Sequence, residues 1–191
     1  MARKKRIWMP EYFYHIGSRG NRRDALFREV SDYETFLYIL HHVNKASPIE
    51  LASYCLMTNH FHLLMRSKYL PISKVMSLIN KRYADYFNKK YDLTGHVFEK
   101  RYFDKPIGDN YGILRISQYI HLNPVEAGIV KNAENYRWSS YRYYLHSKNN
   151  RLLTMNTILD SFQGSLVEKR EGYRKFVESE ELRLEAESVY K

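Results

Sequence analysis

Two runs of strand-forming residues, 49–57 and 60–66, are separated by nothing more than Thr58-Asn59. A two-residue gap between apolar runs closes as a tight hairpin, which sets the two strands side by side and antiparallel in a fixed register. Within the second strand side chains alternate, so His60 and His62 project to one face and Phe61 to the other. Two imidazoles that close together can hold one divalent metal ion, because a neutral ring nitrogen is a common ligand. A His-x-His pair also occurs simply on the solvent face of a half-buried strand. Here Leu56, Met57, Phe61, Leu63, Leu64 and Met65 make a central apolar strand pair, in which two unpartnered polar rings are costly. The pair therefore needs a partner: a metal ion, a carboxylate or a phosphate.

The rest of the chain supplies the frame for this hairpin. Residues 12–18 read as a first strand, followed by the basic turn Arg19-Gly20-Asn21-Arg22-Arg23. Ser31-Asp32-Tyr33-Glu34 has capping-box spacing, and Tyr33, Phe36, Leu37, Leu40 and Val43 then recur at helical steps until Ser47-Pro48 stops them. After Leu70-Pro71, Ser73 is placed to cap a second helix. There Ile72, Val75, Met76, Ile79, Tyr83, Tyr86 and Phe87 keep steps of three and four. Residues 97–105 read as a further strand. Asp109 can cap a third helix through Ile113, Leu114, Ile116, Tyr119 and Ile120, with Pro124 interrupting it and opening a new short helix. Residues 138–145 form an aromatic, helical segment, and short polar helices follow. The order βαββαβα, with strands joined by a hairpin, predicts an α+β fold with an antiparallel sheet flanked by helices. Residues 1–146 are expected to form the main domain and 147–191 a helical C-terminal extension.

Charge narrows the class of partner. The 191 residues carry 31 Lys and Arg against 21 Asp and Glu, a net charge of +10 that points to a polyanion, nucleic acid before an anionic membrane. Many of the 18 tyrosines adjoin cations, as in Lys81-Arg82-Tyr83 and Lys100-Arg101-Tyr102. A cation beside a flat ring is how proteins hold the backbone and stack the bases of single strands. The runs Arg3-Lys4-Lys5-Arg6, Arg19 to Arg23 (Arg19, Arg22, Arg23) and Lys81-Arg82 are candidates for that contact, and each equally suits a solvated surface. No apolar run approaches the roughly 20 residues needed to span a bilayer, and no apolar signal core follows the basic N-terminus. Cys55 is the one cysteine, so no internal disulfide can form. The expected setting is reducing and cytoplasmic, at the nucleoid.

A second segment bears on chemistry. In Tyr119-Ile120-His121-Leu122-Asn123, Tyr119 and Asn123 are four apart and share a helix face. A phenol is a competent nucleophile once its proton is removed or its target polarised. His121 lies about 200° round the helix from Tyr119 and reads as structural or phosphate-contacting.

Taken in order, these segments resemble the REP-associated tyrosine transposases, a branch of the single-tyrosine HUH transposases that act on single-stranded DNA. The likeness is carried by His15-Ile16, Arg19-Gly20-Asn21 and the run from Leu56 through Met57-Thr58-Asn59-His60-Phe61-His62 to Leu64. It continues in Gly95-His96-Val97-Phe98, Arg101-Tyr102, Tyr119-Ile120-His121-Leu122-Asn123-Pro124-Val125, Trp138-Ser139-Ser140-Tyr141 and Tyr173-Arg174-Lys175-Phe176-Val177. It implies a ferredoxin-like or RNA-recognition-like antiparallel sheet. It also implies that His60 and His62 bind a divalent metal, completed by the polar residue four after the tyrosine. Many relatives have glutamine there; this chain has Asn123. Tyr119 would then attack the scissile phosphate, giving a 5′-phosphotyrosyl intermediate and a free 3′-hydroxyl, on single-stranded DNA beside a hairpin. A two-imidazole site suits Mn²⁺ somewhat better than Mg²⁺, which prefers oxygen. His96 and Arg101 are candidates to contact DNA near the site, each equally suited to a structural role, and the protein is expected to act as monomer or homodimer. The competing reading is a non-catalytic hairpin-binding protein on the same fold. A histidine-dependent nucleotide hydrolase lacks its third alternating histidine, since Leu64 stands there.

Overall fold

A computed structural model describes residues 7–147 and 150–179. The hairpin is its centre: β2 (Glu50–Met57) and β3 (His60–Arg66) pair antiparallel, with Met57 opposite His60 and Cys55 opposite His62. β1 (Phe13–Arg19) pairs with the other side of β3, and β4 (Phe103–Ile107) with the outer side of β1. The sheet runs β2-β3-β1-β4 and is antiparallel throughout, an α+β fold as the element order predicts.

Helices cover both faces. α1 (Val30–Ala46) and α2 (Ile72–Tyr91) pack on one, burying Phe36, Leu40, Val75, Met76, Ile79 and Tyr83 against Ile16, Leu56, Phe61 and Leu63. Phe61 is fully buried there, its ring centroid 4.7 Å from that of Phe36. Burial of such a ring contributes about 2 kcal/mol, and it fixes which way β3 faces. The other face carries α3 (Asn110–Glu126), α4 (Tyr141–Leu145), α5 (Asn156–Leu159) and α6 (Leu166–Glu178) over Ala52, Cys55, Met57 and Leu64. The histidines of β3 point into this second layer.

Local differences from the sequence reading have physical causes. The first helix is capped by Glu29, not Ser31; buried Asp32 reaches back to accept the amides of Arg28 and Glu29. α2 begins at Ile72, directly after Pro71, whose carbonyl accepts the first helical amides, so Ser73 lies inside the helix. The strand expected at 97–105 starts later. Residues 97–99 bond instead to the turn after β1, through Asn21 N–H to the Val97 carbonyl and Glu99 N–H to the Arg19 carbonyl. Pro124 does not end α3, which continues to Glu126; near a helix end, one missing amide is tolerated. The segment expected to be helical over 138–145 is helical only in α4. Before it, Leu56 N–H donates to the Trp138 carbonyl and Ser140 N–H to the Tyr54 carbonyl, closing the outer edge of β2.

Candidate active site

β3 delivers the histidine pair and α3 brings the tyrosine over it. The His60 and His62 rings stand nearly perpendicular, centroids 5.1 Å apart. His62 is buried and His60 half-buried. α3 starts at an Asp109 cap, whose side chain accepts the Gly112 amide at 2.7 Å. Two and a half turns on, the half-buried Tyr119 ring meets His62 edge-on at 5.5 Å. One turn further, the Asn123 side-chain oxygen lies 3.2 Å from His60 Nε2.

The tautomer of His60 follows from its neighbours. Asn59 donates its amide N–H to the Arg23 carbonyl at 3.2 Å, and a carbonyl can only accept. Its oxygen therefore faces His60 Nδ1, 2.7 Å away, and that nitrogen carries the proton. His60 Nε2 is left with a lone pair aimed at the Asn123 oxygen. A lone pair on His60 Nε2 and the Asn123 side-chain oxygen, 3.2 Å apart, are donors that a shared cation can use. The donor set fits a divalent ion held by His60, His62 and Asn123. Among the described residues no group of three or more His, Cys, Asp and Glu side chains is placed to hold one.

The sequence reading missed His15 as a member of the site. It is buried on β1, with Nε2 3.1 Å from His62 Nδ1 and its ring 5.6 Å from that of Tyr119. Burial, joined by the charge of Lys105, pushes His15 down to about 4. Burial also holds His62 well below its usual range, helped by His15, His60 and Arg19. His60 is lowered by burial and Arg19, against the opposing effect of Asn123. All three rings are therefore neutral near pH 7, the form that ligates metal. Phe103 closes the outer side, perpendicular to His15 at 4.9 Å. It lies across Gly17, where a Cβ would come within 2.2 Å of the ring.

The other expected residues scatter. Arg19 is exposed at the end of β1, opposite His60 in the register, and its charge reaches both His60 and His62. Arg22 and Arg23 are exposed in a tight turn at positive φ, 53° and 65°, which hooks onto Asn59 through the Arg23 carbonyl. Lys81 and Arg82 sit on α2, across the sheet from the histidines, and Lys81 is bonded to Asp85 at 2.7 Å. His96 and Arg101 are exposed before β4, and Arg101 borders a cavity of about 500 Å³ with Lys81, Phe98 and Tyr102. Arg3, Lys4, Lys5 and Arg6 lie outside the described residues. His121 is structural: fully buried, it bonds Tyr173 and Ser140, each at 2.7 Å.

Fold and site together define an α+β protein in which a histidine strand faces a tyrosine on an overlying helix. The chain belongs to the IS200-like transposase family, whose profile matches residues 8–123, and it is a transposase by that membership. Its fold is similar to that of a REP-associated tyrosine transposase bound to a REP hairpin, with a TM-score of 0.64 at 18% identity over 75% of this chain and 84% of the other. A protein of Deinococcus radiodurans R1 with a provisional transposase assignment aligns at TM-score 0.42 and 19% identity, over 62% of this chain and 95% of that one. No curated protein sequence matches the chain.

Proposed function

We propose that the protein is a divalent-metal-dependent single-stranded DNA endonuclease and strand transferase, with Tyr119 as its nucleophile. One observation carries this reading: Tyr119 packs against His15 and His62 of its own chain, one helical turn from the Asn123 that faces His60. This packing supports a reading in which a single protomer carries the parts of the reaction and Tyr119 acts in cis.

His60, His62 and Asn123 would hold the ion, Mn²⁺ or Mg²⁺. When bound, it offsets negative charge on the non-bridging oxygens of the scissile phosphate. The phenol of Tyr119 gives its proton to solvent water and attacks phosphorus; the O–P bond to the 3′ oxygen breaks, and that oxygen takes a proton from water. The products are a 5′-phosphotyrosyl linkage and a free 3′-hydroxyl, and the reverse attack rejoins strands. Asn59 keeps the His60 proton off the ligating nitrogen, and α3 holds Tyr119 at a fixed height above β3. Arg19 supplies positive charge for the DNA backbone at the rim. The likeness to a hairpin-bound transposase supports single-stranded DNA with a hairpin as the substrate class.

The test is covalent capture. Protein incubated with single-stranded hairpin oligonucleotides and Mn²⁺ is expected to form an adduct that survives denaturation. Tyr119→Phe is expected to lower its rate at least about 10³-fold, with hairpin binding retained. An adduct that persists in Tyr119→Phe sinks the assignment of nucleophile. Tight hairpin binding by the unmodified protein with no adduct under any metal would leave only a binding role.

A further inference from the structure

Phe103 is exposed over 44% of its surface, on an edge strand, directly beside the two buried histidines His15 and His62. An exposed large ring on a sheet edge is a solubility liability, and packing accounts for only part of this one. One side of the ring lies over β1. Gly17 is its register partner there, and the absence of a Cβ at Gly17 lets the ring lean inward until it stands perpendicular to His15. Its centroid is 6.1 Å from that of His62. The remaining surface faces solvent at the mouth of the site.

Its surroundings are cationic. Lys105 follows two residues along β4, hence on the same face, and is the register partner of His15. Arg19 follows Gly17 by the same step along β1. A partly exposed ring flanked by cations, within one nucleotide's reach of the metal-facing histidines, matches how single-stranded nucleic acid is gripped: phosphates by charge, bases by stacking. Resting on the function proposed above, we infer that Phe103 is a base-stacking platform. It holds the nucleobase next to the scissile phosphate, and Gly17 is the seat that positions its ring.

Hairpin oligonucleotides carrying 2-aminopurine at single positions on either side of the cleavage junction test this by binding alone. With the unmodified protein, fluorescence at one position is expected to be quenched on binding. Phe103→Leu is expected to abolish that quenching and weaken binding roughly tenfold, while Phe103→Tyr retains both. Gly17→Ala, whose methyl collides with the ring, is expected to act like Phe103→Leu. The double variant should then be no worse than either single one. Quenching and affinity unchanged in Phe103→Leu overturn the platform, as does their loss in a folded Phe103→Tyr. Adduct formation is scored separately. Loss of quenching in Phe103→Leu upholds the platform even if the unmodified protein forms no adduct, an outcome that condemns only the Tyr119 chemistry.

Discussion

His15 has no obvious task in the sequence, where it is one histidine within a family-like frame. Its partner His62 lies 47 residues away, and only the β1–β3 register brings them together. The contact has a chemical consequence. In the proposed site His62 would offer Nε2 to the ion only with its proton on Nδ1, and His15 Nε2, 3.1 Å away, is placed to accept that proton, as outer-shell partners of ligating histidines do. His15→Phe, which fills the space without accepting a proton, is expected to weaken Mn²⁺ binding about ten- to a hundredfold. His15→Gln should restore part of it. Titration calorimetry on the DNA-free protein measures this directly, and equal affinities for all three proteins would refute the role. By contrast, the directions of His60, His62 and Phe61 were legible from alternation alone. So was the shared face of Tyr119 and Asn123, because helical and strand periods are local geometry.

At the scale of elements, the hairpin and the apolar stripe of α2 could be read from sequence because burial writes its period into the chain. The start of β4 and the stretch before α4 could not. Residues 97–99 and 138–140 use their backbone to satisfy neighbouring strands, a demand set by the fold and not by their own side chains. The polar fastening of α3 was equally hidden. Ser117 bonds Ser53 of β2 at 2.5 Å and the Tyr173 hydroxyl of α6 at 2.6 Å; Tyr173 also bonds His121, which bonds Ser140. Each of these groups is buried, so each must be satisfied within the protein. Tyr173→Phe removes one hydroxyl and strands two partners, at a cost of about 2 kcal/mol. Thermal unfolding should show a loss of roughly 4–8 °C; an unchanged midpoint would mean that the network is redundant.

For the whole molecule, a net charge of +10 says that a polyanion is favoured but not where it binds. The structure separates the cations by face. Arg19 lies at the histidine rim, whereas Lys81 lies across the sheet and is engaged by Asp85. Arg19→Gln is therefore expected to lower the slope of log affinity against log salt for hairpin DNA by about 0.7, one phosphate contact on a single strand. Lys81→Gln should leave it unchanged, and equal effects of the two would place the DNA elsewhere. The buried chain of hydrogen bonds that begins at Ser53 takes on a mechanical meaning in the proposed reaction. Once Tyr119 carries a DNA end, the protein becomes a link in that strand, and any pull on the strand enters the molecule through α3. Ser117 and His121 lie two residues either side of the tyrosine and pass that tension inward to β2, α4 and α6. The tether is thus moored in the interior of the protein, and the severed end can be held under load until it is rejoined.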